Sequence, residues 1–138
     1  MKKNKFSKNW IIKQKRDIYV KKSKLEGYRS RAVYKLEEIN NKFNLIKNNT
    51  LVIDLGAAPG SWSQFISRNF NNSKIISIDL KDIEPIKNLV HIKGDFTDEK
   101  HKKKIKNYFG KKVDLIISDM AVNLSLIHIS EPTRPNCI

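Results

Sequence analysis

Apolar and polar positions along this chain follow two different rhythms. Residues 1–8 are basic with few apolar side chains, a pattern that predicts a disordered arm. From Lys8 to about Lys24 a helix is predicted, with Trp10, Ile11, Ile12, Ile18, Tyr19 and Leu25 as apolar positions. "GYRS" breaks it. Ser30 is then a suitable N-cap for "RAVYKLEEINNKF", where Val33, Leu36, Ile39 and Phe43 recur at helical spacing and predict a buried stripe. Lys35 lies beside that stripe.

After "KNN" the rhythm changes. "TLVIDL" is a continuous β-branched and apolar run, the pattern of a strand buried on both faces of a parallel sheet. "GAAPG" is a turn, "SWSQFISRNF" a helix, and "NNS" its end. "KIISIDL" is a second buried strand closing on Asp79, and "NLVHIKGDF" a third, carrying Asp95. A Lys-rich helix, "TDEKHKKKIKNYFG", precedes a fourth strand, "KKVDLIISDM", which ends on Asp119. Strands alternating with helices predict a doubly wound α/β sheet with right-handed crossovers.

The last stretch, "LSLIHISEPTRPNCI", departs from this logic, with two prolines and no periodicity. It closely resembles the peptide obtained when sequencing-adapter DNA is translated. The native reading frame is therefore expected to stop near Asn123 or Ser125, and residues 124–138 are read as a non-native tail. The alternative is a short C-terminal strand built on "LIHI". The expected organisation is a basic arm and helix over 1–29, a partial domain over 30–123, and the tail.

With 39% hydrophobic and 30% charged residues, the composition fits a folded soluble domain. No apolar run approaches the roughly 20 residues of a membrane helix, and the N-terminus lacks an apolar signal core. A cytoplasmic location is the default expectation. The single cysteine, Cys137, allows no internal disulfide. His91, His101 and His128 have no metal-ligand spacing and read as ordinary surface or core residues.

Charge adds a partner. The net charge is +14, with thirteen Lys/Arg against two acids in residues 1–35 and fifteen against twelve in the other 103. A basic segment of this kind neutralises phosphates and releases their counterions, so nucleic acid is the partner it fits best. A solvated tail and an anionic lipid surface are the alternatives. Phe6, Trp10, Tyr19, Tyr28 and Tyr34 lie within it. Some could stack on unpaired bases, and several are expected to pack the helices against the core.

In open α/β sheets, ligands bind at the carboxyl ends of the strands. Asp54 and the loop from Gly56 to Gly60 lie at the first such end, and Asp79, Asp95 and Asp119 at the next three. The loop has two glycines four apart, not the three of a dinucleotide fold, and no phosphate-loop lysine, so a ligand without a pyrophosphate fits better. Asp79 is placed to accept from both ribose hydroxyls and Asp95 from an adenine amino group. Together they describe an adenosine-type ligand, with S-adenosylmethionine the natural candidate. On the bland reading Asp54 only holds the turn, Asp95 forms a turn or helix cap, Trp62 is core, and Asp119 caps the next segment of chain.

"SRAVYKLEEI", "VIDLGAAPGSWSQF", "IDL", "GDF" and "SDMAVN" occur in the same order in the FtsJ-like large-subunit ribosomal RNA 2′-O-methyltransferases, which the chain resembles from about Trp10 to Asn123. The resemblance implies a Rossmann-like methyltransferase fold, incomplete here at the C-terminus with later strands missing. It also implies S-adenosylmethionine as methyl donor and a uridine 2′-hydroxyl of ribosomal RNA, or of the large subunit, as acceptor. By matching motif, Gly60, Trp62, Asp79, Asp95 and Asp119 fall on cofactor positions. Lys35 and Asp119 fall on the first lysine and the acid of a Lys-Asp-Lys-Glu catalytic set. A ribose 2′-hydroxyl is a poor nucleophile at neutral pH, so the set must align it and help remove its proton. The family gives proton removal to the second lysine and steering of the hydroxyl to Lys35.

The departures are few but one is large. Gly60-Ser61-Trp62 stands where many relatives have a second glycine before the tryptophan, and Met120-Ala121-Val122-Asn123 where they have proline before the asparagine. The second lysine and the glutamate lie beyond Asn123 in the family, and Lys111 and Lys112, before the fourth strand, cannot replace them. The chain as written is therefore expected to be inactive, with its fourth strand an uncovered apolar edge. The competing readings are a non-catalytic RNA-binding module with a residual cofactor site and a nicotinamide oxidoreductase.

Overall fold

In the computed structural model, which describes residues 5–110, 113–119 and 136–137, helices α1 (Lys5–Glu26) and α2 (Val33–Phe43) precede an alternating series. That series runs β1 (Leu51–Leu55), α3 (Ser61–Asn69), β2 (Lys74–Asp79), β3 (Leu89–Lys93), α4 (Glu99–Phe109), β4 (Leu115–Ser118) and β5 (Asn136–Cys137). The strands form one parallel sheet in the order β3-β2-β1-β4-β5. β1 is central, with Ile53 opposite Ile76 of β2 and Ile116 of β4. All five of its residues are buried. That is why its sequence runs apolar without alternation.

The sheet separates two cores. Val52, Ile75, Leu115 and Ile117 point to one face, where Val33, Tyr34 and Leu36 of α2 and Trp62, Phe65 and Ile66 of α3 cover them. Leu51, Ile53, Leu55, Ile76, Ile78 and Ile116 point to the other, covered by Ile105 of α4. Period-two alternation within each strand thus feeds both layers.

Several expectations are corrected. α1 begins at Lys5, inside the stretch expected to be disordered. Most of its described apolar side chains do not pack on the body: Trp10 and Leu25 are 57% and 88% exposed, and among the described residues α1 adds none to either core. Its anchors are instead a ring contact of Tyr19 with Tyr34 at 5.5 Å and the Lys22 ammonium 4.6 Å from the Tyr34 ring centre. α2 starts two residues later than the N-cap at Ser30 implies, because the Ser30 hydroxyl is shared with Ser61 and reaches only the Ala32 amide. In its stripe Val33 and Leu36 are buried, but Phe43 is exposed and Tyr34 takes the inner position. β4 is not a bare edge, since Asn136 and Cys137 pair with Leu115 and Ile116. The "LIHI" alternative, His128 and the rest of the tail lie outside the described residues, as do Lys111 and Lys112.

Replacing Ile53 by Ala, at the crossing of three strands and 0% exposed, should lower unfolding free energy in urea by about 2–5 kcal/mol. Trp10→Ala should stay within about 0.5 kcal/mol of wild type, as an unpacked surface residue does.

Candidate functional site

The strand order reverses beside β1, so the loop after β1 and the end of β4 face each other at a switch point. The loop makes its turn by spending its own amides. Gly56 and Ala57 donate to the Ile78 carbonyl at 2.8 and 3.3 Å, and Ala58 donates to Asp79 Oδ2 at 3.0 Å. The Ala58–Pro59 bond is cis, and Gly60, at φ 108°, turns the chain into α3. Amides used this way are not offered to a phosphate, in keeping with a ligand that has none.

Asp79 is held from both sides, since Oδ1 also accepts from the Lys81 amide at 2.9 Å. Its carboxylate is thereby oriented and keeps lone pairs for further donors. Asp79 and Asp95 line one cavity of about 190 Å³ with Gly56, Ile78, Leu80, Gly94 and Phe96. Asp95 accepts from the Thr97 amide and hydroxyl at 2.9 and 2.7 Å. Those bonds hold its carboxyl below the usual carboxylate range. The α4 cap is Asp98, not Asp95. A Cβ at Gly94 would stand 2.2 Å from Cε1 of His101, whose Nδ1 bonds the Asp95 carbonyl, so that ring would have to shift.

Lys35 and Asp119 meet in a second cavity. Lys35 Nζ donates to Asp119 Oδ1 at 3.0 Å, joining α2 to the end of β4. The cavity, about 520 Å³, is also lined by Tyr19, Ser30, Arg31, Tyr34 and Glu38. The pair is half exposed, so it adds little to stability.

Two positions stand apart. Gly60 packs under Arg29, Ile83 and Ile86 and lines neither cavity. The Trp62 ring is core, 3% exposed, and its Nε1 donates to the Ala32 carbonyl at 2.7 Å. Any ligand contact at Trp62 must therefore run through its backbone. The rest of the "SDMAVN" motif, Met120 to Asn123, lies outside the described residues. His91, as expected, serves structure, bridging the Ser77 hydroxyl and the Lys81 carbonyl. Among the described residues no cluster of His, Cys, Asp and Glu could hold a metal, and no helix is long and apolar enough to cross a membrane.

Sequence reasoning missed Leu80, Phe96 and Ser63. An apolar residue directly after a strand-end acid was the available signal for Leu80, which is 71% exposed beside Asp79. Ser63 matters through Asp54. That carboxylate is 2% exposed and accepts from Ser63 Oγ at 2.7 Å, tying the end of β1 to α3. Burial pushes its carboxyl up from the ordinary 3.8 to about 7; the Ser63 bond opposes this, and Asp119 and Asp79 add to it.

Comparison with known proteins places this geometry in a family. Residues 28–137 match the family model described as FtsJ-like methyltransferase. A protein of Pelagibacter ubique called ribosomal RNA large subunit methyltransferase E is 60% identical over 123 residues, covering 89% of this chain and 61% of its own length. A protein of the same name from Janthinobacterium sp. is 44% identical, covering 97% and 66%. The chain thus spans 61–66% of the length of these relatives. A solved ribosomal RNA methyltransferase from Plasmodium falciparum superposes with a TM-score of 0.61 at 40% identity, over 70% of this chain and 58% of that one.

Asp54 holds its proton more tightly folded than unfolded. The stability this contributes is complete below the ordinary carboxylate pKa and is lost as pH rises through about 7. Going from about pH 5 to about pH 8 should therefore lower the Tm of wild type more than that of Asp54→Asn, which keeps an acceptor for Ser63. Parallel Tm profiles would show that Asp54 titrates normally.

Proposed function

Because the chain belongs to the FtsJ-like methyltransferase family, we propose that it binds S-adenosylmethionine at its strand ends and that its full-length parent methylates the 2′-hydroxyl of a uridine in large-subunit ribosomal RNA. The observation that carries this reading is the Lys35–Asp119 pair: two residues 84 apart in sequence, 3.0 Å apart in space, at the strand ends beside an open cavity. A pair so exposed adds little stability and is open to a substrate.

The smaller cavity, about 190 Å³, suits the adenosine part of the donor. Ile78, Leu80 and Phe96 offer apolar walls to adenine, Asp95 accepts from its amino group, and Asp79 accepts from the ribose hydroxyls. Gly60 and Trp62 would contribute only through the backbone, and Asp119 would serve the methionine end. When bound, the donor supplies an electrophilic methyl group on a positively charged sulfur. Asp119 holds the Lys35 ammonium in place; with donor and acceptor bound, that ammonium would orient and polarise the 2′-hydroxyl, and the Asp119 carboxylate would stabilise the positive sulfur. Proton removal belongs to the second lysine of the family's set, which with the glutamate lies beyond Asn123 in relatives.

RNA is held by α1, where Lys8, Lys13, Lys15, Arg16, Lys21, Lys22 and Lys24 are exposed. Tyr19 of α1 and Arg31 line the Lys35 cavity, so the basic helix leads directly to the acceptor position. With ribosomal RNA or the assembled subunit as substrate, the cytoplasm is the expected place of work.

Calorimetry should detect S-adenosylmethionine binding to this chain, weakened about tenfold or more by Asp79→Ala through loss of charge-assisted hydrogen bonds. Lys35→Ala should leave that affinity within about twofold, yet cut methyl transfer to ribosomal particles by the full-length parent about 10²–10⁴-fold. Salt-dependent RNA binding with no donor binding would favour a non-catalytic RNA-binding module. Dinucleotide binding would favour an oxidoreductase.

A further inference from the structure

The connection between α1 and α2 is fastened along its length to α3. Arg68 donates to the Glu26 and Gly27 carbonyls at 3.0 and 2.7 Å and lies 4.6 Å from the Tyr28 ring centre. Gln64 Oε1 accepts from the Arg29 amide at 2.8 Å, and the Ser61 and Ser30 hydroxyls meet at 2.9 Å. With its backbone fixed this way, Arg29 sends its side chain outward. Nη1 donates to the Pro59 carbonyl at 3.0 Å and the Glu84 carbonyl at 2.8 Å, and Nη2 to the Pro85 carbonyl at 3.1 Å.

These acceptors belong to two loops. Pro59 is in the glycine turn, whose first residue, Gly56, lines the smaller cavity; Glu84 and Pro85 come after Asp79 and Leu80, which line it from the other side. One planar guanidinium thus spans the loops that wall the cavity, a geometry that a lysine ammonium cannot reproduce. Gly60 makes the approach possible. A Cβ there would stand 3.0 Å from Arg29 Nη1 and 3.2 Å from Ile86 Cδ1.

We infer that Arg29 is a positioning residue for the methyl donor, setting the separation of the glycine loop and the loop after β2 and so the shape of the adenosine site. It touches carbonyls, not the donor, and acts through Pro59, Glu84 and Pro85. The inference rests on the donor reading above. It also turns an arginine in the most basic part of the chain away from RNA, since three of its hydrogen bonds are committed to protein.

The test is calorimetric titration of S-adenosylmethionine into wild type, Arg29→Lys and Arg29→Ala, with circular dichroism to verify folding and RNA affinity measured across salt. Arg29→Lys should weaken donor binding about tenfold or more, as misplacement of a preformed site does. Its RNA affinity and salt slope should hold within about twofold, because the charge is kept. Methylguanidine added to folded Arg29→Ala should restore donor affinity several-fold, which loss of general stability would not allow. Wild-type binding with an unchanged Arg29→Lys overturns the inference alone. So does a drop in RNA affinity without a drop in donor affinity. A wild type that binds no donor overturns the donor reading itself, and the inference with it.

Discussion

The turn that leaves β1 must do so without stranding polar groups, and the rest of the structure depends on how it does. A strand buried on every side delivers its last residues into apolar surroundings, where an unpaired amide or carboxylate costs several kcal/mol. The solution uses the neighbouring strand. Gly56 and Ala57 reach the Ile78 carbonyl, Ala58 reaches Asp79, and Asp54 takes the Ser63 hydroxyl. Two of these bonds also fix something useful: the orientation of Asp79 and the start of α3.

Stability and chemistry are therefore divided among the acids. Asp54 sits inside and is held against its preference for water, and Asp79 is half structural through its two amide partners. Asp119 and Lys35 are nearly free of structural duty, half exposed at the rim. Like charges gathered at one sheet edge repel, and Asp119 and Asp79 both raise the proton affinity of Asp54. The Lys35 ammonium, 3.0 Å from Asp119, offsets part of that repulsion.

Much of this was legible in sequence for a simple reason. Buried parallel strands need continuous β-branched runs, so "TLVIDL", "KIISIDL" and "DLIIS" announced themselves, and their terminal acids came with them. The meeting of Lys35 with Asp119 was implied by a motif resemblance. The α1 side chains misled, because periodicity marks apolar positions without saying whether a surface awaits them. Trp10 and Ile18 meet none. Phe43 was misplaced for the same reason. The Arg29 bonds left no trace in sequence at all, since their acceptors are backbone carbonyls that any residue could supply.

The separation of α1 from both cores has a consequence for how the molecule opens. A helix of about 33 Å with no buried apolar face relies on its own hydrogen bonds and a few side-chain contacts, and such helices are marginal in water. In hydrogen-exchange terms α1 is expected to behave as its own foldon. Its amides should exchange by local fraying at low free-energy cost, while those of β1 should wait for the whole domain to unfold. A polyanion that neutralises the lysines of α1 raises that local cost selectively, so the first structural response to such a partner is protection of one helix with the sheet unchanged.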